Sequence, residues 1–363
     1  MKKSGIIVEY NPFHNGHLYH LNQARKLTEP DVLIAVCTGN YNLRGDLSVI
    51  NKFDKTKAAL ENGVDLVIEL PYIYATQNAN VFGTKAVELL DRFKIDHLVF
   101  GSETNNIDEL KKYADLEIDV TKLKELMHEG LSYPKAYGLL SASLYPNDLL
   151  AVTYLKAIKN TQISPVSIQR TSDYLSKELD LISSATAIRK AIHEGIDVSQ
   201  YVPYPIHESV FIDDLYPYLR KLLFTMNSEE LREIFLVDEG IENMLRENAL
   251  EYDDYEDFMN ASISRRYTRS RLQRTCLQIM NHITKKEVAV LPELNYIRVL
   301  GFNQKGREVL HECKEELPIV TQFKNIPSGY KEIEWKTSLI YASLLKDPAA
   351  YLKQELKGPI IQK

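Results

Sequence analysis

Cysteine is scarce in this 363-residue chain, and Cys37, Cys276 and Cys313 lie too far apart for a CxxC metal knuckle or a disulfide framework. A reduced compartment fits that usage. Long apolar runs are missing as well. The longest, such as Val32 to Cys37, are strand-sized and fall far short of a membrane span. No charged-then-apolar leader opens the chain, so a cytoplasmic location with no membrane partner is expected. Internal repeats and low-complexity tracts are absent too. The net charge of −6 argues against coating nucleic acid by bulk charge but leaves room for a local basic patch. With 44% hydrophobic and 26% charged residues, the composition is that of a globular protein long enough for two domains.

What is present begins with Gly5-Ile6-Ile7-Val8-Glu9-Tyr10-Asn11-Pro12-Phe13-His14-Asn15-Gly16-His17. The apolar run ending at Tyr10 predicts a buried parallel strand, Asn11 and Pro12 predict a turn, and Leu18, Leu21, Ala24 and Leu27 recur at helical spacing. His14 and His17 therefore flank a helix start, where free N–H groups and the helix dipole attract phosphate, and Gly16 permits close approach of a nucleotide. Two imidazoles there can donate hydrogen bonds to a phosphate gaining charge in a transition state. A plain helix cap also fits the string, as does a metal site, since His14, His17 and His20 share helical spacing; no acidic residue completes an HExxH-type pattern.

Up to about residue 105 strand and helix alternate. Strands are expected at Gly5 to Tyr10, Val32 to Thr38, Asp65 to Leu70 and His97 to Gly101, with helices at His17 to Leu27, Lys52 to Asn62 and Asn80 to Phe93. The fold class is α/β: a Rossmann-like parallel sheet over residues 1–200, then a mostly helical domain over 201–363 that ends in a small α/β appendage. Ligands bind beyond the carboxyl ends of such strands, where Tyr10 to His17, Thr38 to Asp46, Pro71 to Asn80 and Gly101 to Glu103 converge. Gly101 ends its strand where a side chain would obstruct a ligand, although a plain turn glycine reads the same. Arg44, in the loop Arg44-Gly45-Asp46, can face a carboxylate, a phosphate or RNA, or serve as an ordinary loop charge. Ile107 to Lys124 is expected to be helical and charged, and Asn147 to cap a helix reaching about Asn160.

A second motif, Ile182-Ser183-Ser184-Ala185-Thr186-Ala187-Ile188-Arg189, places hydroxyls at a helix start and an arginine one turn in, a set suited to polyphosphate oxygens. Further on, Arg265, Arg266, Arg269, Arg271 and Arg274 crowd around Tyr267, with no acid from Ser262 through Asn281. A solvated basic helix explains that run; RNA-backbone contact, with Tyr267 stacking on a base, is the sharper reading.

HNGH after a first strand resembles the HxGH signature of nucleotidyltransferases, whose members catalyse attack on the α-phosphate of a nucleotide with release of pyrophosphate. More closely, VEYNPFHNGH, TGNYNLRGD, NGVDLVIELP, ATQNAN, LVFGSE and SRRYTRSRLQR resemble the bacterial tRNA(Met) cytidine acetate ligase family across most of the chain. The loop departs from that family's Val-Gln-Arg-Gly type string at Asn42-Leu43, and Asp148 stands where a second asparagine is common.

The resemblance implies an ATP-dependent ligase in which acetate attacks ATP, acetyl-adenylate forms, and the acetyl group passes to the wobble cytidine of elongator tRNA(Met). It implies catalytic roles for His14, His17 and Arg189. ATP contacts are implied along Val8, Glu9, Tyr10, Asn11, Pro12, Phe13, His14, Asn15, Gly16, His17 and His20, and at Gly101, Asn147, Arg170, Ser183 and Ser184. Arg44, Arg265, Arg266, Tyr267, Arg269 and Arg271 would meet the RNA, magnesium would accompany ATP, and DNA is not an expected partner. Two rival classes remain open on sequence: a small-molecule nucleotidyltransferase, and a non-catalytic RNA-binding protein on the same fold.

Overall fold

The strand β2 (Val32–Thr38) is buried at every position, as a central strand covered on both faces must be. Around it the computed structural model, which describes residues 1–117, 119–131, 133–140, 144–170 and 184–363, builds one sheet. Its other strands are β1 (Lys3–Val8), β3 (Leu66–Leu70), β4 (His97–Ser102), β5 (Ser164–Gln169), β6 (Ile297–Phe302), β7 (Ile319–Val320) and β8 (Ile360–Ile361). The first five run parallel in the order β5-β4-β1-β2-β3. From β1 the chain winds outward to β3, then returns past β1 to add β4 and β5 on the other side. The strand order thus reverses between β1 and β4, the place where an open α/β sheet leaves a crevice for a ligand.

Helices cover both faces. On one face the Asn15–Thr28 helix closes a cluster of Ile6, Val8, Phe13, Leu21, Leu33 and Ala35. On the other, the Ala79–Arg92 helix lies beneath β1 and against the Pro146–Ile158 helix. Gly83 is the contact point there: a Cβ would meet the Thr153 methyl at 2.6 Å.

The expected alternation of strand and helix is present, with no end moved by more than two residues, but Asn147 does not cap its helix, which starts at Pro146 with Tyr145 as the N-cap residue. β1 stops at Val8 because Tyr10 turns into the left-handed region, φ 49°. The charged stretch from Ile107 forms two helices, Ile107–Asp115 and Val120–His128, instead of one. The tail has the expected α/β character, but its strands extend the main sheet: β6 pairs antiparallel with β3, and β7 and β8 flank β6. Between sheet and tail, helices from Tyr216–Thr225 to Arg269–Met280 bury Leu219, Leu245, Phe258 and Leu277 among themselves.

Candidate active site

At the β1–β4 switch point the turn after β1 is tied to its neighbours before the helix begins. Asn11 donates its side-chain amide to Leu47 O (3.0 Å) and accepts from Val49 N–H (2.8 Å), so the turn is fixed against the loop that follows β2. His14 is the N-cap residue: its Nδ1 accepts the Gly16 N–H at 3.0 Å, while the His17 Nδ1 accepts the His14 N–H at 3.3 Å. An Nδ1 that accepts carries no proton, which assigns both rings the tautomer with hydrogen on Nε2. The cap thus engages Nδ1 of each ring with backbone N–H and leaves the proton of each on Nε2, and the Pro12 carbonyl accepts from the His17 ring. The ring centroids lie 3.9 Å apart. Burial, with the charges of Arg170 and Arg189, pushes His14 down to about 3, and burial likewise holds His17 well below the usual histidine range. Both are neutral donors near pH 7.

Arg189 reaches the same point from the Ala185–His193 helix, donating to Asn11 O (2.9 Å) and Thr186 Oγ1 (3.2 Å). Ser184 caps that helix, accepting the Ala187 N–H. Ser183 lies outside the described residues. Across the crevice, Glu103 after β4 accepts from the Asn147 amide (2.6 Å) and lies 3.9 Å from Arg170 Nε, so one carboxylate orients both side chains. A Cβ on Gly101 would touch only Arg170 Cγ, at an ordinary 3.5 Å. No protein atom demands glycine there, and the space it leaves belongs to the crevice.

Together these groups line a cleft of about 230 Å³. Of the residues expected at a nucleotide site, Val8, Glu9, Tyr10, Asn11, His14, Gly16, His17, His20, Gly101, Asn147, Arg170, Ser184 and Arg189 line it, and so does Arg44. Pro12, Phe13 and Asn15 do not. Phe13 is fully buried beside Tyr10 and Tyr204, and Asn15 turns outward, its amide donating to Gln200 O. Sequence reasoning missed Asn42, Asp46, Phe100, Tyr154 and Thr186 in the wall. Thr186 was within reach, since it sits inside the quoted serine-threonine motif. Among the described residues no three histidine, cysteine, aspartate or glutamate side chains converge as a metal site.

The arginine run divides. Its helix begins only at Arg269, capped by Thr268, and leaves Arg265 and Arg266 exposed in the preceding turn. Arg269 pairs with Glu256 and Arg271 with Glu239, so acids distant in sequence neutralise part of the cluster. Tyr267 is only 8% exposed; its hydroxyl donates to Glu239 O, and the Arg271 guanidinium covers its ring at 5.0 Å. The expected stacking of Tyr267 on a base is corrected accordingly, because that face is taken. Arg274 is half-buried and donates to Leu43 O (3.1 Å), joining this helix to the loop beside the cleft.

A family model described as HIGH nucleotidyl transferase matches residues 1–356. The tRNA(Met) cytidine acetate ligase of Anoxybacillus flavithermus is 37% identical, an alignment covering 99% of this chain and 99% of that protein. The chain belongs to the tRNA(Met) cytidine acetate ligase family of HIGH nucleotidyl transferases. The Fusobacterium nucleatum member is 39% identical over 92% of this chain and 91% of its own. Among solved structures, apo Thermotoga maritima TmcAL superposes with a TM-score of 0.89 at 30% identity, covering 99% of both chains. The same protein bound with alpha-thio ATP gives 0.86 at 29% identity over the full length of both. Membership of the HIGH nucleotidyl transferases agrees with the β1–helix corner, where the motif's two histidines meet Arg189.

Proposed function

We propose that this protein is an ATP-dependent tRNA(Met) cytidine acetate ligase. It activates acetate as acetyl-adenylate with release of pyrophosphate, then acetylates the exocyclic amine of the wobble cytidine of elongator tRNA(Met). The observation that carries the chemistry is the pair of neutral imidazoles whose Nδ1 atoms cap the helix, which puts the proton of each ring on Nε2. The relatives' shared name supports the substrate, and the alpha-thio ATP complex of a structural neighbour supports the nucleotide.

In this reading His14 and His17 donate to the α-phosphate oxygens, which gain charge as the acetate oxygen bonds to phosphorus and the bond to pyrophosphate breaks. Preorganised donors of this kind are worth roughly 3–4 kcal/mol each. Arg189 balances charge on the departing pyrophosphate, its guanidinium held in the cleft wall by bonds to Asn11 O and Thr186 Oγ1, with Ser184 beside it. Gly101, Asn147, Arg170 and His20 enclose the nucleoside end. No side chain acts as nucleophile, because a carboxylate is already ionised at neutral pH. Magnesium would accompany the triphosphate and neutralise its charge; among the described residues Glu9 and Asp46 are the acids in the wall, too few for a cage of their own. Residues 1–200 carry the activation, and Arg44, Arg265 and Arg266, with the paired Arg269 and Arg271, give the tRNA a basic approach. Among the described residues no helix is long and apolar enough to cross a membrane, and a cytoplasmic setting suits a tRNA substrate.

The test is pyrophosphate release with ATP and a panel of carboxylates and phosphate esters, with and without tRNA(Met). Release that depends on acetate supports the ligase. Release only with a phosphate ester identifies a small-molecule nucleotidyltransferase, and none at all leaves RNA binding alone. Within the active pattern, His17→Ala is expected to lower acetate-dependent release about 100-fold or more. Replacing Arg265 and Arg266 together should weaken tRNA binding and its salt dependence while sparing release.

A further inference from the structure

The cleft that receives two polyanions carries a carboxylate that binding alone does not explain. Asp46 lies in its wall with His14, His17 and Arg189. Like charges repel, so an acid facing phosphate weakens affinity for ATP and RNA alike. The other acid in the wall has a local task, since Glu9 Oε1 accepts the Leu43 N–H at 2.7 Å. Asp46 spends one oxygen on its own turn, Oδ1 accepting the Leu47 N–H at 2.8 Å. Among the described residues Oδ2 has no hydrogen bond. Its position is fixed: its backbone N–H donates to Asn42 Oδ1 (3.2 Å), and Gly45 beside it is wedged against the backbone of Gln273 and Arg274. The charges facing it are Arg189 on the phosphate side, Arg269 on the side of the arginine run, and Asp213, with the Tyr255 hydroxyl nearby. Asp46 thus stands between the place where the adenylate forms and the face offered to RNA.

We propose that Asp46 is the general base of the acyl-transfer half-reaction, taking the proton that the attacking cytidine amine must lose. This rests on the ligase reading above. The N4–carbonyl bond forms, the bond from the carbonyl carbon to the AMP phosphate oxygen breaks, AMP leaves with that electron pair, and the N4 proton passes to the Asp46 carboxylate. The amine's lone pair is delocalised into the cytosine ring, so attack without proton removal would build an unstable ammonium. Burial lifts the Asp46 carboxyl above the ordinary aspartate range against the pull of Arg189 and Arg269, which makes it a better proton acceptor.

The experiment compares acceptors. Hydroxylamine traps acetyl-adenylate as acetohydroxamate without needing a protein base, whereas cytidine in tRNA(Met) needs one. Asp46→Asn keeps the size and the bond from Leu47 N–H. With saturating tRNA it is expected to slow acetyl transfer about 100-fold or more, with hydroxamate formation falling at least ten times less. The acidic limb of the wild-type transfer rate should vanish in Asp46→Asn and return, shifted, in Asp46→Glu. Equal loss with both acceptors, an intact acidic limb, weaker tRNA binding, or a raised magnesium requirement for activation would overturn the assignment. If wild-type protein forms no hydroxamate from acetate and ATP, the ligase reading itself fails and takes this assignment with it.

Discussion

Gly45→Ala is the sharpest single test of how the cleft is joined to the helical part of the chain. Gly45 has φ +82°, and a Cβ there would lie 2.3 Å from Arg274 N, 2.7 Å from Gln273 C and 2.8 Å from Arg274 Cα. All three are backbone atoms inside the Arg269–Met280 helix, so no side chain can swing aside. The left-handed backbone costs an alanine roughly 1–2 kcal/mol. Opening the contact to ordinary van der Waals distance needs about 1 Å of movement between two packed elements, an overpacking cost of roughly 1–3 kcal/mol. The expected loss is therefore about 2–5 kcal/mol if the loop keeps its place. If the loop yields instead, Arg44 and Asp46 leave the cleft wall, and the Leu43 N–H loses Glu9 while Leu43 O loses Arg274. The paired assays are denaturant unfolding and acetate-dependent ATP–pyrophosphate exchange. One of them must fall: a variant with wild-type stability and wild-type exchange would refute the close contact and the coupling drawn from it.

Two further outcomes follow from buried charge. His14 is harder to protonate folded, about 3, than unfolded, near 6.5, so its contribution to stability is whole above pH 6.5 and drains as pH falls toward 3. By pH 5 the loss from this ring is about 2 kcal/mol; ligand-free protein should melt lower at pH 5 than at pH 7, and saturating ATP, whose phosphates favour the protonated ring, should narrow the gap. A melting temperature flat across that range would contradict the burial of the ring. Elsewhere, Lys52 is 1% exposed and bonds Glu69 at 2.9 Å and Glu355 at 2.8 Å, while Arg298 bonds the same two carboxylates. Lys52→Met is expected to cost about 3–5 kcal/mol in denaturant unfolding, and adding Glu355→Gln should recover part of it; an unchanged midpoint would mean the pair is not buried in solution.

Legibility in the sequence followed the range of the interactions. The β1–helix corner, the alternation through β4 and the convergence of loops beyond the strand ends are local or periodic features, and short apolar runs encode them directly. Asn147, Arg170 and Gly101 were reachable through resemblance, and the structure adds the reason two of them point one way, namely Glu103. Long-range pairings were not legible. Lys52, Glu69, Arg298, Glu334 and Glu355 each look like surface charges, and only the fold brings them into one buried network in which burial and the Glu69 charge push Glu334 up to about 7. Tyr267 had the composition of a stacking residue but lies under Arg271, because Glu239 draws that guanidinium across its face. The loop from Asn42 to Asp46 carried no periodicity at all, and its meaning comes from the helix packed against it.

The two histidines also explain why a short motif suffices. A helix N-terminus exposes N–H groups that need an acceptor, and a phosphate site needs donors; an aspartate cap would meet the first need and leave nothing for the second. Imidazole meets both, provided one nitrogen is fixed as acceptor. The spacing His-x-x-His does the fixing, since the ring of residue 17 accepts from the backbone of residue 14 while the ring of residue 14 accepts from residue 16. Each ring is locked in one tautomer by the turn it stabilises. Neutrality then matters as much as placement. A charged pair at a centroid separation of 3.9 Å would repel itself, whereas a neutral pair stands at no such cost, and in the proposed reaction its hydrogen bonds would strengthen only as charge grows on the phosphate.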